Sequence, residues 1–159
     1  GTGSVMQSGR RLAVDVGKVR VGLAISDFHG ILASGLANVT RQPSNEATCK
    51  LILDAVADED IIEIYVGLPL SMSGENTAST QDAIELAVSL SEMVSTPIRM
   101  VDERLTTVSA TAALRSSGRN SKQGRSIIDQ VAATMILEQA LNQERQTGLP
   151  AGKEVKDVA

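Results

Sequence analysis

Up to Thr40 the apolar positions fall into short runs broken by turn residues, and beyond it stretches of helical spacing alternate with short apolar runs. Arg11 to Val16, Arg20 to Asp27 and Ile31 to Thr40 are rich in valine, leucine, isoleucine and alanine, separated by Gly17 and by the turn-like stretch ending at Gly30. This pattern predicts a three-stranded antiparallel meander. From about Ser44 to Asp58 the set Ala47, Leu51, Ile52, Ala55 and Val56 recurs one helical turn apart, with Ser44 as a cap after Pro43. Ile61 to Val66 is short, β-branched and closed by Gly67 and Pro69, as a buried parallel strand should be. A second amphipathic helix follows through Ala83, Leu86, Ala87, Leu90, Met93 and Val94, ending before Pro97, and Ile98 to Val101 is a fifth strand. Thr106 or Thr107 can cap a helix to about Arg115, Ser116 to Gly124 reads as a basic serine- and glycine-rich linker, and a last helix covers about Ser126 to Glu144.

That order predicts an α/β fold: a mixed five-stranded sheet, three antiparallel strands then two parallel, flanked by helices. The length of 159 residues suits one domain with one sizeable core, expected over 11–145. Residues 1–10 read as a tag-like start, since Gly1-Thr2-Gly3-Ser4 resembles a cloning remnant. Residues 146–159 combine glycine, proline and charge without apolar period, and the expectation is a disordered tail. No apolar run is long enough to cross a bilayer and no signal core is present, so the expected setting is the cytoplasm, with no membrane partner.

Composition narrows the chemistry. Cys49 is the sole cysteine, which excludes an intrachain disulfide; it sits at the edge of the first helix's apolar stripe, where it is either a small buried side chain or partly exposed and able to link two chains. His29 is the sole histidine and Phe28 and Tyr65 the only aromatics, which argues against histidine catalysis and against reading single strands on ring platforms. The net charge of −4 opposes nucleic-acid binding, but it is unevenly spread. Asp54, Asp58, Glu59, Asp60 and Glu63 crowd one segment, whereas Arg115, Arg119, Lys122 and Arg125 form an acid-free basic stretch. Such a run is either a solvated face or an electrostatic clamp on a nucleic-acid strand.

Three acids stand out. Asp15 is a charge within the apolar strand Leu12 to Gly17, where burial demands a partner; a hydrogen bond to the turn at Gly17 would also satisfy it. Glu103 follows the fifth strand directly, at the end where ligands of such sheets gather, although an acid before a helix also complements its dipole. Asp129 interrupts an apolar stripe that continues through Ala132, Ala133 and Ile136, and with Ser126 it could equally complete a capping box. Converging carboxylates without histidine or cysteine would suit Mg²⁺ or Mn²⁺, and two such ions can cleave a phosphodiester.

Four blocks carry a resemblance: Asp15-Val16-Gly17-Lys18-Val19-Arg20-Val21-Gly22-Leu23-Ala24, then Val66-Gly67-Leu68-Pro69, then Val101-Asp102-Glu103-Arg104-Leu105-Thr106-Thr107, then Ile128-Asp129-Gln130-Val131-Ala132-Ala133 with Ile136-Leu137. In this order, across about Arg11 to Leu141, the chain resembles the YqgF or RuvX family, described as nucleases of precursor 16S rRNA and as Holliday-junction resolvases. The resemblance implies an RNase H-like fold, a phosphodiester-cleaving nuclease, and metal-binding catalytic roles for Asp15, Glu103 and Asp129 with Mg²⁺ or Mn²⁺. Asp102 ranks behind Glu103, because its side chain should point to the opposite face of the strand. Lys18, Arg20 and Arg104 are candidate phosphate contacts, as are Arg115, Arg119, Lys122 and Arg125; a solvated surface role is the alternative for each. Arg125-Ser126-Ile127-Ile128 is less lysine-rich than the family tends to be there, which implies a weaker grip. The loop Ser71 to Asn76 is either a substrate gate or an ordinary connection.

The implied partners are precursor rRNA, ribosomal particles or branched DNA, and the chain is expected to be a monomer or a homodimer, a junction resolvase requiring the latter. Two readings outside nuclease chemistry compete. The Asp-x-Gly turn also occurs in the actin, sugar-kinase and Hsp70 ATPases, but those close two such domains on a nucleotide and only one is present. A catalytically silent binding domain would not need the intact acid trio.

Overall fold

The computed structural model describes residues 8–71, 73–103 and 122–158, with the side chains of 122–130 outside that description. In chain order it comprises β1 (Arg10–Val16), β2 (Arg20–Ser26), β3 (Ala33–Thr40), α1 (Asn45–Ala55), β4 (Ile61–Leu68), α2 (Ala78–Ser91), β5 (Ile98–Asp102), α3 (Lys122–Thr147), β6 (Lys153–Glu154) and a closing helical turn, Val155–Val158. The strands form one sheet of order β3-β2-β1-β4-β5-β6. β1 runs antiparallel to β2 and parallel to β4, and β4 is parallel to β5, so the expected α/β fold with a mixed sheet is present.

Side-chain alternation sorts the sheet into two unlike faces. Leu12 and Val14, with Val21, Leu23, Ile64, Val66, Ile98 and Met100, pack beneath α1 and α2. The opposite face is built from Ala13, Ala24, Tyr65 and Val101 against Ala132, Ala133, Ile136, Leu137 and Ala140 of α3. Alanines on both partners let this long helix lie close to the sheet across β1 and β2. Ser44 caps α1, accepting from the Ala47 amide at 3.1 Å, as the sequence predicts. Thr77 and Thr80 form a reciprocal capping box on α2.

Several expectations need correction. The sheet has six strands rather than five, and the segment expected to be a disordered tail supplies the sixth. α3 ends where Gly148 turns at φ 76°, its amide donating to the Glu144 carbonyl at 2.8 Å. Gly152 turns again at φ 72°. Arg99 then donates from Nε to the Ala151 carbonyl and from Nη2 to the Gly152 carbonyl, both at 2.6 Å, while Ala151 and Val155 are buried. Order here comes from glycine turns and an arginine clamp, not from an apolar period, so a periodicity argument misses it. α3 begins at Lys122, inside the predicted linker; the cost of a helical glycine, about 1 kcal/mol, does not outweigh the rest of the helix. β3 starts at Ala33, leaving Ile31 and Leu32 exposed in the preceding turn. Cys49 is fully buried and donates towards the Leu86 carbonyl at 3.6 Å; burial pushes its thiol up to about 11, which leaves it inert rather than available to link chains. Residues 1–7 of the expected tag, and the helix expected from Thr106 or Thr107 to Arg115, lie outside the described residues.

At the amino ends of the parallel strands, on the α3 face, sits a buried charge cluster that the sequence did not announce. Arg11 pairs with Glu144 at 2.9 Å, and the Tyr65 hydroxyl donates to the same carboxylate at 3.3 Å. Burial pushes the neighbouring Glu63 carboxyl up to about 7, against the opposing pull of Arg99. A carboxyl whose pKa is higher folded than unfolded carries no penalty below its ordinary 4.5 and destabilises the fold progressively as pH rises to about 7. Glu63→Gln is therefore expected to stabilise the protein at pH 8 by up to about 3 kcal/mol and to have little effect at pH 4, as read by urea denaturation at the two pH values. An equal effect at both would show that the carboxyl does not titrate in this range.

Candidate active site

Parallel strands β1, β4 and β5 end at Val16, Leu68 and Asp102, and Asp15 and Glu103 lie at this edge. Asp15 is the penultimate residue of β1, almost fully buried, and shares the parity of Ala13, which places it on the α3 face. The register Val14 to Val66 brings Asp15 level with Gly67 on β4, and Gly67 lies opposite Val101 on β5. Glu103, two residues past Val101, returns to the same face. A Cβ placed on Gly67 would lie 2.9 Å from Glu103 Oε2 and 2.6 Å from Ile136 Cδ1. The Glu103 carboxylate thus lies over the one position of β4 that has no side chain, on the face that carries Asp15. Strands two apart in a sheet are separated by about 10 Å, a gap that a glutamate leaning inward across a bare glycine substantially closes.

Gly67 is consequently a positioning residue. Gly67→Ala is expected to displace the Glu103 carboxylate and the Ile136 methyl together, lowering any Glu103-dependent activity about 100-fold while the protein still folds with a modestly reduced Tm; a steady-state assay beside a thermal melt separates the two effects. Full activity in that variant would show that Glu103 need not sit where it does.

The turn after Asp15 is held from two sides. Gly17 donates its amide to the Arg20 carbonyl at 3.0 Å, and a Cβ on Gly17 would lie 2.5 Å from that oxygen, which only glycine avoids. Arg41 donates to the Gly17 carbonyl at 2.9 Å while clamping both Asp82 oxygens at 2.9 and 3.1 Å, and the Asp82 carboxylate holds the guanidinium pKa above its ordinary value. The sequence reading missed Arg41. Its only signal was a lone arginine between β3 and the α1 cap.

Lys18 is exposed in this turn and Arg20 is half-buried at the start of β2. Asp102 lies on the opposite side of β5 from Glu103, among residues lining a separate cavity with Leu68 and Met100, as its strand parity predicts. Asp129, Lys122 and Arg125 belong to α3; the helix register sets Asp129 seven residues before Ile136, the residue that touches Gly67. Arg104, Arg115 and Arg119 lie outside the described residues. Among the described residues no group of three acid, histidine or cysteine side chains is arranged to hold a metal ion; a trio that includes the Asp129 side chain extends beyond them. No described helix is long and apolar enough to cross a membrane. The loop expected as a gate closes on itself, with Gly74 donating to the Ser71 carbonyl at 2.8 Å and Ser71 to the Glu75 carbonyl at 3.0 Å.

Residues 9–143 match the RuvX family, described as a Holliday junction resolvase. The chain belongs to the RuvX family. Among RuvX relatives, a protein of Leifsonia xyli named "Putative pre-16S rRNA nuclease" is 50% identical over 95% of this chain and 97% of its own length. A protein of the same name from Clavibacter michiganensis is 51% identical over 92% of this chain and 91% of its own, and one from Streptomyces coelicolor is 44% identical over 98% and 93%. Among solved structures, RuvC of T. thermophilus in complex with a Holliday junction substrate superposes with a TM-score of 0.53 over 92% of this chain and 99% of that one, at 12% identity. At that identity the likeness is one of fold, and the RNase H-like architecture implied by the sequence motifs is the one present.

Proposed function

We propose that this RuvX chain is a metal-dependent endonuclease that processes the 5′ end of precursor 16S rRNA, with Asp15, Glu103 and Asp129 as its catalytic, metal-binding residues. The observation that carries the reading is the Glu103 carboxylate lying over bare Gly67 on the face that buries Asp15, at the end of the sheet where such folds bind ligands. The donor set fits a hard divalent cation: the groups are carboxylates, histidine and thiolate are absent from the edge, and the bare Gly67 lets the Glu103 carboxylate lie over β4 on the face of Asp15. Mg²⁺ or Mn²⁺ held there would activate a water and stabilise the leaving oxygen.

The chain's own residues bind and orient. Arg41 and Gly17 fix the turn that presents Asp15, and Gly67 gives Glu103 its position. Lys18, Arg20 and Arg104 are the phosphate contacts of this reading, and Arg115, Arg119, Lys122 and Arg125 add positive charge for the nucleic acid, offsetting the chain's overall negative charge. The expected setting is the bacterial cytoplasm, on free precursor or on ribosomal particles.

The test is cleavage, by the purified chain with Mg²⁺ or Mn²⁺, of an RNA carrying the 16S 5′ leader alongside a four-way DNA junction. Release of the leader with the junction intact supports the rRNA reading. Cleavage of the junction alone, by a dimer, would replace it with the resolvase activity that the family description names.

A further inference from the structure

At the outer edge of β5 is a cavity of about 440 Å³. It exists because β6 pairs only with Arg99 and Met100, whereas β5 continues to Asp102. Leu70, Gly74 and Asn76 form one wall and Gly152, Lys153, Asp157 and Val158 another. Asp102 lines this cavity, and its chain neighbour Glu103 reaches over Gly67 on the other face of the strand. The cavity and the Glu103 carboxylate are thus held by consecutive residues at the end of one strand.

We propose that this cavity is a subsite for one unpaired nucleobase of the strand being cut. The inference rests on the nuclease reading and deepens it by naming the form of the substrate: a strand that is single, or frayed, beside the scissile bond. The volume lies within the range of about 300–1,000 Å³ typical of small-ligand sites. Leu68 and Val158 give apolar surface for a ring face, while the amides of Asn76 and Gln143 each offer a donor and an acceptor to a base edge. The carboxylates of Asp102 and Asp157 disfavour a phosphate in the cavity but accept from the amino groups of cytosine, adenine or guanine. Lys153 supplies a cation for the adjoining phosphate. Bases within a duplex are stacked and paired, so only an unpaired or extruded nucleotide can enter.

The experiment measures, by fluorescence anisotropy in Ca²⁺, the affinity of the wild type and of Asn76→Ala/Gln143→Ala for three probes: a short single-stranded RNA, its blunt duplex, and the same strand with abasic residues at its centre. Asn76 is exposed and Gln143 half-buried, so the variant is expected to fold, as a thermal melt will show. The wild type should bind the intact single strand about tenfold tighter than either other probe, and the double variant should lose that margin while duplex affinity is unchanged. Equal wild-type affinity for all three probes, or a margin that survives in the folded variant, overturns the subsite. Cleavage separates the two readings: a single-strand margin without metal-dependent cutting would leave the subsite and remove the nuclease, and cutting without the margin would do the reverse.

Discussion

Asp15→Asn should reduce metal-dependent cleavage at least about 1,000-fold, corresponding to about 4 kcal/mol of lost transition-state stabilisation, with little change in Tm. The substitution keeps the shape of the side chain and removes its charge. Asp15 is buried at the end of β1, in a turn held by the Gly17 amide and by Arg41, so the backbone has little reason to move. An amide offers a cation one neutral oxygen in place of a shared negative charge, and hard divalent ions discriminate strongly against that exchange. Steady-state cleavage beside a thermal melt checks both halves of the expectation. If the purified variant cuts at the wild-type rate, the activity belongs elsewhere.

The second large effect concerns stability and lies at the opposite end of the strands. Arg11 and Glu144 form an ion pair at 2.9 Å with side-chain exposures of 1% and 6%, joined by the Tyr65 hydroxyl. Arg11→Met leaves the Glu144 carboxylate buried without its guanidinium, and the expected loss in urea denaturation is about 3–5 kcal/mol. Combining Arg11→Met with Glu144→Leu should recover most of it, because a buried ion pair replaced whole by apolar groups of similar volume costs little. The pair ties β1 to α3, the helix that carries Asp129, so the single variant should also lose cleavage as it unfolds at lower denaturant. A double variant no more stable than the single one would contradict this account of the cluster.

The legible parts of this molecule were those written in local pattern. The apolar run through Val14, closed by Gly17, marked β1, Ser44 marked the start of α1, and Gly67 with Pro69 closed β4 near where the structure ends it. Asp15 and Glu103 were legible as charges at the ends of apolar strands, and alternation alone put Asp102 on the other face. What could not be read was set by contacts between distant segments. The sixth strand depends on Arg99 clamping the Ala151 and Gly152 carbonyls, and the buried cluster depends on Arg11 meeting Glu144 across the domain. Arg41 braces the Asp15 turn at the Gly17 carbonyl while held by Asp82 of α2, and nothing in the spacing of either announces the other. Cys49 was assigned to the edge of its stripe, yet Thr48, Cys49 and Ile52 form the buried face while Leu51 and Ala55 of the predicted stripe are exposed, because α1 packs against α2 as well as the sheet and is turned accordingly.

The account stands on one property: carboxylates at 15, 103 and 129 hold a divalent cation in common. Mn²⁺ titration followed by electron paramagnetic resonance, on the wild type and on Asp15→Asn, Glu103→Gln and Asp129→Asn, measures it without reference to any substrate. The prediction is a bound signal in the wild type whose affinity falls at least about tenfold in every one of the three variants. Wild-type affinity retained in any one of them would remove that residue from the centre, and retention in all three would contradict the account.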